Sequence, residues 1–341
     1  MKLSDYSYEL PPSLIADMPP DIRGSSRLLV LDSTDGSICD ESYLDVVEYM
    51  RSGDVLVLND TKVIKARLRT HRGDGSEREL IVLERHSFDD DWHEHRVLYR
   101  RKLSVGEVLT VGDAKLEIKE LLGDGLAIVQ SDRNLLDLAD EIGEVPLPPY
   151  MNREAIPLDV ERYQTVWANE KGSVAAPTAS LNMTDRIIDG LRKKGVQVVY
   201  LTLHVGLGTF LPIRVDDIED HKMHKEYFVV PESTIKSIWH AKREGHKVFA
   251  LGTTVARTLE YVADQLDKDA ADLSGEADIF IYPGYHFKVV DGLLTNFHAP
   301  KSTVLMLASA FAGWDNLLPA YQHAIKQGYR FLSYGDSMLI L

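Results

Sequence analysis

The chain has 341 residues, 44% of them hydrophobic, and a formal net charge of −15 at pH 7. That length favours two domains over one, and the hydrophobic share is enough to give each an interior. A single cysteine, Cys39, excludes an intramolecular disulfide and a cysteine-cluster metal site, and no apolar run reaches the roughly 20 residues of a bilayer span.

The first ten residues hold no apolar segment of signal-peptide length, so a cytoplasmic protein without membrane partners is expected. Residues 28–31 (Leu-Leu-Val-Leu) and 54–58 (Asp-Val-Leu-Val-Leu) read as buried strands. Between them, Ser42 to Met50 has helical apolar spacing at Leu44, Val47 and Met50. From about 65 to 145 short alternating runs recur at 79–84, 96–99, 107–111, 115–119 and 126–130, several separated by Gly-Asp turns. Such spacing predicts an antiparallel barrel or sandwich. Pro146-Leu-Pro-Pro149 closes the region with a stiff extended segment.

After Pro157 an α/β rhythm returns. Thr184 predicts an N-cap for a helix to about Lys194, with Gly195 at its stop. Strands are predicted at 196–203, 246–251 and 279–281, and a hairpin around Asp291 from 288–290 and 292–294. Helices are predicted over 231–244 with Ser233 as a possible cap, from 252 to about 266, over 302–312 and over 317–326. The fold class that follows is an α/β core domain with an inserted antiparallel β-barrel domain. The core takes residues 1–62 and 151–341, the insert 63–150.

Two stretches carry the chemistry. Leu203-His-Val-Gly-Leu-Gly-Thr-Phe210 and Thr295-Asn-Phe-His-Ala-Pro-Lys-Ser-Thr303 each set a histidine among small and polar residues just after an apolar run. Imidazoles at strand ends are natural proton-transfer groups, so His204 and His298 are expected to share one cleft. Seven of the twelve histidines fall between 204 and 298. His221-Lys-Met-His224 has spacing compatible with zinc, but no third ligand is evident and no metal is expected. Gly206-Leu-Gly208 lacks the third glycine of a dinucleotide loop; it opens no helix and reads as a close approach to a flat or charged ligand. Strand-to-helix turns at Gly252-Thr-Thr254 and Pro300-Lys-Ser-Thr303 suit an anion, with Lys301 adding charge. The acidic total disfavours nucleic acid, yet Lys62, Lys65, Arg67, Arg69 and Arg72 form one basic cluster, Arg96, Arg100, Arg101 and Lys102 a second, and Arg186, Arg192, Lys193 and Lys194 a third.

Long ordered segments resemble one family, the S-adenosylmethionine:tRNA ribosyltransferase-isomerases of queuosine synthesis. They include Asp5-Tyr-Ser-Tyr-Glu-Leu-Pro11, Gly53-Asp-Val-Leu-Val-Leu-Asn-Asp-Thr-Lys-Val63, Pro146-Leu-Pro-Pro-Tyr150, Val174-Ala-Ala-Pro-Thr-Ala179, Glu219-Asp-His-Lys-Met-His-Lys-Glu-Tyr227 and Phe331-Leu-Ser-Tyr-Gly-Asp336. The resemblance implies transfer of the ribosyl part of S-adenosylmethionine to the aminomethyl group of a 7-deazaguanine in tRNA. Adenine and methionine leave, the sulfonium compound is a consumed substrate, and no cofactor is implied. Several proton transfers are needed, for which His204, His298, His221, His224 and Asp336 are the candidates. Substrate contacts are expected from Pro177, Thr178, Ser180, Asn182, Gly206, Gly208, Thr209, Phe210, Arg257, Asn296, Lys301 and Tyr334. Arg257 or Lys301 suits a carboxylate, and Phe210 or Tyr334 suits adenine or the sulfonium. Lys62, Arg67 and Arg69 are expected at tRNA phosphates, and a monomer is expected. Where the family pattern reads Ala-Gly-Leu-His-Phe-Thr, this chain reads Ala179-Ser-Leu-Asn-Met-Thr184. Asn182 cannot titrate near neutrality, which leaves open an altered or inactive member that still binds tRNA or S-adenosylmethionine. A methyltransferase is the third reading, disfavoured by the absent glycine fingerprint.

Overall fold

The computed structural model describes residues 1–87, 91–206, 208, 213–267 and 269–341. In chain order the first strands are β1 (Arg27–Leu31), β2 (Ile38–Ser42), β3 (Val55–Asn59) and β4 (Thr61–Val63). Then come β5 (Arg67–His71), β6 (Glu77–Val82), β7 (Glu94–Tyr99), β8 (Val108–Val111), β9 (Ala114–Gly123) and β10 (Leu126–Ser131). Helices α1 (Leu135–Ile142) and α2 (Pro157–Arg162) precede β11 (Glu170–Ser173), α3 (Asp185–Lys193), β12 (Gln197–Leu203) and β13 (Glu226–Val230). The chain ends with α4 (Glu232–Glu244), β14 (Val248–Leu251), α5 (Thr253–Tyr261), β15 (Leu273–Ala277), β16 (Gly292–Asn296), α6 (Thr303–Ala312), α7 (Trp314–Lys326) and β17 (Ser337–Ile340).

Nine strands form one mixed sheet in the order β15-β13-β12-β3-β14-β16-β17-β1-β2. At its centre β12, β3, β14 and β16 run parallel. Val55 and Val57 pack on one face of the sheet, Leu56 and Leu58 on the other, all fully buried. A strand buried on both faces needs a continuous apolar run, which is what 55–58 supplies; each such side chain contributes about 1.5–3 kcal/mol. Strands β5 to β10 close into an antiparallel barrel around Leu68, Leu80, Val97, Leu116 and Val129. Parallel pairing of β4 with β11 lies where the chain passes between core and barrel.

Thr184 caps α3 by accepting from the Ile187 N–H, and Gly195 has φ +90° at its end, both as expected. Four local expectations fail. Tyr43–Tyr49 is a 3₁₀ helix, started by Ser42 and Asp45 in a reciprocal cap. Ser233 caps nothing; Asp272 instead accepts from the Glu232 N–H at the start of α4. Residues 279–281 are not a strand, and the edge strand is the polar Leu273–Ala277, paired with β13. No hairpin forms at Asp291. The buried Glu260 carboxylate accepts from the N–H groups of Lys288, Val289 and Val290, which frees them from any strand partner, and β16 pairs with β14 and β17.

Candidate functional site

Parallel strands β14 and β16 end at Gly252 and at Phe297-His298, beside the Val205 that follows β12. A cavity of about 170 Å³ opens over these ends, closed by Pro177–Ala179, by Tyr150 after the proline segment, and by the turn from Pro300 into α6. The carboxyl end of parallel strands is where open α/β sheets hold ligands, because free helix N–H groups converge there.

His298 lines this cavity and is buried. Its Nε2 lies 2.9 Å from Thr295 Oγ1, its N–H donates to the Tyr321 hydroxyl at 3.0 Å, and its carbonyl accepts from the Tyr8 hydroxyl. Burial away from water lowers its pKa to about 3, so the ring is neutral at physiological pH. Asn296 is buried beside it; its Oδ1 accepts from Thr178 Oγ1 at 2.9 Å, while its Nδ2 has no partner. Lys301 stands exposed at the rim with φ +59°. Of the expected residues, the cavity gathers Pro177, Thr178, Asn296, His298 and Lys301.

Among the described residues, His204 does not line the cavity that holds His298. Along β12 and its continuation Leu201, Leu203 and Val205 face the core, so His204 points the other way. Its Nδ1 lies 2.8 Å from Thr61 Oγ1 and its ring stacks 6.3 Å from Tyr227, away from the cavity lining. Asp336 also lies outside the cavity: its two oxygens accept from the N–H groups of Arg27 and Arg330, each at 2.8 Å, which ties the last turn to β1. Tyr334 turns away as well, donating to Asp159 at 2.8 Å. Arg257 pairs with the fully buried Glu226 at 2.9 Å and donates to the Ala277 carbonyl at 2.9 Å. Burial would raise the Glu226 carboxyl, but the Arg257 guanidinium, aided by His224 and the Gly206 N–H, brings it down to about 2.

Gly206 and Gly208 are small because protein, not ligand, crowds them. A Cβ at 206 would stand 2.5 Å from Glu84 Oε1, and one at 208 would stand 2.7 Å from the His224 ring. Thr209 and Phe210 fall outside the described residues. His224 Nε2 is 3.3 Å from Glu226, and His221 packs edge-on to Phe280 with its pKa lowered by burial and then by His224. Among the described residues no group of three or more His, Cys, Asp or Glu is placed to hold a metal ion, and no helix is long and apolar enough to cross a membrane.

Asn182 is fully used within the fold. Its Oδ1 accepts from Ser26 Oγ at 2.8 Å, and its Nδ2 donates to the Gly335 carbonyl at 2.9 Å and to Ser337 Oγ at 3.1 Å. Neither it nor the buried Ser180 lines the cavity. Asn182→His is therefore expected to leave turnover within about threefold while lowering unfolding free energy by about 1–3 kcal/mol in urea titration, because an imidazole cannot reproduce the three bonds in the same volume. A tenfold rise in turnover would place this side chain in the chemistry after all.

The first basic cluster is largely neutralised by neighbours. Arg69 lies 2.8 Å from Glu144, 3.0 Å from Glu154 and 3.7 Å from Glu77, and Arg67 lies 3.7 Å from Glu79. Lys62 is half-buried in register with Lys171. Arg101 and Lys102 stay exposed on the barrel.

The sequence reading did not name Tyr150 and Ser333 as site residues, whereas Thr254 stands in its anion-suited turn and Thr295 heads its second histidine stretch; all four line the cavity. The Pro-Pro-Tyr150 motif was a usable signal, since a stiff segment delivers that ring to the cavity, where its hydroxyl meets Ser333.

Sheet order and the barrel define an α/β protein with an inserted antiparallel barrel and a cavity at the carboxyl ends of its parallel strands. The chain matches the family described as queuosine biosynthesis protein over residues 3–340, and it belongs to that family. It is 51% identical to the S-adenosylmethionine:tRNA ribosyltransferase-isomerase of Chlorobium phaeobacteroides and 47% identical to that of Halothermothrix orenii, with 100% of each chain covered. It is similar to the crystal structure of the S-adenosylmethionine tRNA ribosyltransferase from Thermotoga maritima, at 34% identity and a TM-score of 0.57 over 99% of this chain and 100% of that one.

Proposed function

We propose that this protein transfers and isomerises the ribosyl part of S-adenosylmethionine onto 7-aminomethyl-7-deazaguanine in tRNA, releasing adenine and methionine and leaving epoxyqueuosine. The observation that carries this reading is the 51% identity, over full length, to a relative named for that activity. The chemistry asks for a base near the carbon next to the sulfonium, since the positive sulfur acidifies that carbon. His298 is the candidate: burial keeps its imidazole neutral with a lone pair available, while the bound sulfonium opposes the charge the ring gains when it takes the proton. In the tautomer that donates Nε2–H to Thr295, Nδ1 is the acceptor. Asn296, with its unpartnered Nδ2, and Lys301 at the rim supply donors to the substrate. The sulfonium compound is consumed, and no metal or cofactor enters the scheme. RNA reaches the cavity from outside, and the exposed Arg101 and Lys102 are better phosphate contacts than the paired Arg67 and Arg69. The protein works in the cytoplasm, where tRNA and S-adenosylmethionine are found, and it does so as a monomer. Asn182 lends no support to an inactive member, because its hydrogen bonds are spent inside the fold.

The test is incubation with S-adenosylmethionine and tRNA carrying the deazaguanine precursor. Adenine and methionine should appear together with modified tRNA. S-adenosylhomocysteine would make it a methyltransferase, and binding without products would make it an inactive relative.

A second expectation concerns acid stability. His298 has its folded pKa depressed to about 3 from an ordinary 6.5, so the unfolded chain binds the extra proton between those values. Its contribution is fully present above pH 6.5 and is lost as pH falls toward 3, with a slope of at most about 1.4 kcal/mol per pH unit. The difference in unfolding free energy between the protein and its His298→Gln variant, followed from pH 7 to pH 4, should show that slope; a flat difference would mean the ring is protonated in place.

A further inference from the structure

A second, smaller recess of about 30 Å³ adjoins the main cavity, with Thr253, Thr254 and Val304 as their common wall. That is space for about two water-sized groups. Its polar lining is short of partners. Thr303 and Arg257 are 5% and 6% exposed, and Thr303 Oγ1, Arg257 Nε and Thr254 Oγ1 are all buried without a hydrogen-bond partner. Three such donors in one recess are costly in an empty fold, at about 1–3 kcal/mol for each unmet group. Groups of this kind are met by bound water or by a ligand.

Two helices begin here. α5 starts at Thr253 without any side-chain cap, and α6 starts at Thr303, where Ser302 caps only the Leu305 N–H. Thr253, Thr254, Thr303 and Val304 of their first turns line the recess, which puts the positive dipole ends of both helices beside it. Among the described residues no acidic side chain lines it. The nearest charge, Arg257, is balanced from behind by Glu226, so the recess offers hydrogen-bond donors more than net positive charge.

We propose that this recess is the seat of the α-carboxylate of the substrate's amino-acid arm, held by the Thr254 and Thr303 hydroxyls, Arg257 Nε–H and the first N–H groups of α5 and α6. A carboxylate presents two oxygens and about four acceptor sites, which fits the donor count and the space. The assignment rests on the ribosyl-transfer reading above. It makes Thr254 and Thr303 specificity residues for the amino-acid end, while the nucleoside lies in the larger cavity near His298. Arg257 backs the seat instead of forming a free clamp.

The experiment compares binding of S-adenosylmethionine with its decarboxylated analogue, which keeps the sulfonium and nucleoside, by calorimetry on the full chain. The intact compound should bind at least tenfold more tightly. Thr303→Val, which removes one buried hydroxyl at nearly constant shape, should erase most of that preference by weakening only the carboxylate form. Its melting temperature should stay level or rise, since an unmet donor has gone. Thr254→Val gives the same readout should Thr303→Val fold poorly. Equal affinity of the two ligands, or equal weakening of both by the valine variants, overturns the assignment. Adenine release from S-adenosylmethionine and precursor tRNA, measured alongside, separates the two failures. Release without carboxylate preference sinks only the recess, whereas absence of both binding and release sinks the ribosyl-transfer reading with it.

Discussion

Replacing His298 by glutamine should lower kcat by about 10²–10⁴ while leaving S-adenosylmethionine binding within a few-fold. Glutamine keeps a donor and an acceptor for Thr295 and approximates the ring's length, so the cavity should persist. What it cannot do is take up a proton. His298 is the one imidazole among the residues that line the cavity, and its dry surroundings keep it neutral at every pH above about 3. The pH profile of kcat should accordingly lack a limb near pH 6.5 belonging to this residue, and glutamine should lower the profile uniformly. Single-turnover adenine release measured between pH 5.5 and 8.5 is the check. A variant that keeps more than about a third of the rate would remove His298 from the proton transfers and move the base to a group the substrate brings in.

The barrel and the parallel centre were legible in the sequence because each rests on a local pattern. Alternation with Gly-Asp turns writes an antiparallel barrel, and the uninterrupted Val55–Leu58 writes a doubly buried strand. That His298, Asn296 and Lys301 lie together was legible for a similar reason, as they fall at the end of one strand and in the turn after it. The remainder of the site depended on facts that no spacing carries. His204 and Val205 are neighbours in sequence and face opposite sides of the chain, so the motif that named the histidine placed it in the wrong space. The glycines beside it mark close packing against Glu84 and His224, which in sequence is indistinguishable from an opening for a ligand. Asn182 and Asp336 are polar residues in motifs, yet the bonds of Asn182 close on Ser26, Gly335 and Ser337, all more than 150 residues away in sequence, and Asp336 accepts from the Arg27 N–H 309 residues away and from the nearby Arg330 N–H. The missing hairpin has the same origin, because one distant carboxylate, Glu260, took the N–H groups that local pattern assigned to a strand.

The largest stability effect is expected at Arg257. Its guanidinium lies 2.9 Å from a carboxylate that is fully buried, and Arg257→Met should cost about 3–5 kcal/mol because Glu226 is left charged in a low-dielectric interior without its arginine. The sign of the pH dependence separates this from a simple loss of packing. In the native protein Glu226 is held at about 2, below an ordinary glutamate, so its contribution is present above pH 4.5 and is lost as pH falls from there toward 2. Without the guanidinium, burial dominates and pushes the same carboxyl up, so the variant should recover stability on mild acidification where the native protein does not. Glu84, whose pKa is raised by burial and which feels the Glu226 charge, shares the neighbourhood and follows the same direction in both proteins. The companion change Glu226→Gln removes the orphaned charge, and the double variant should regain a good part of the loss, giving a coupling energy above about 2 kcal/mol in a double-mutant cycle. A cycle that closes additively would mean that the pair, though buried and close, is screened by its surroundings and does not hold α5 against β13.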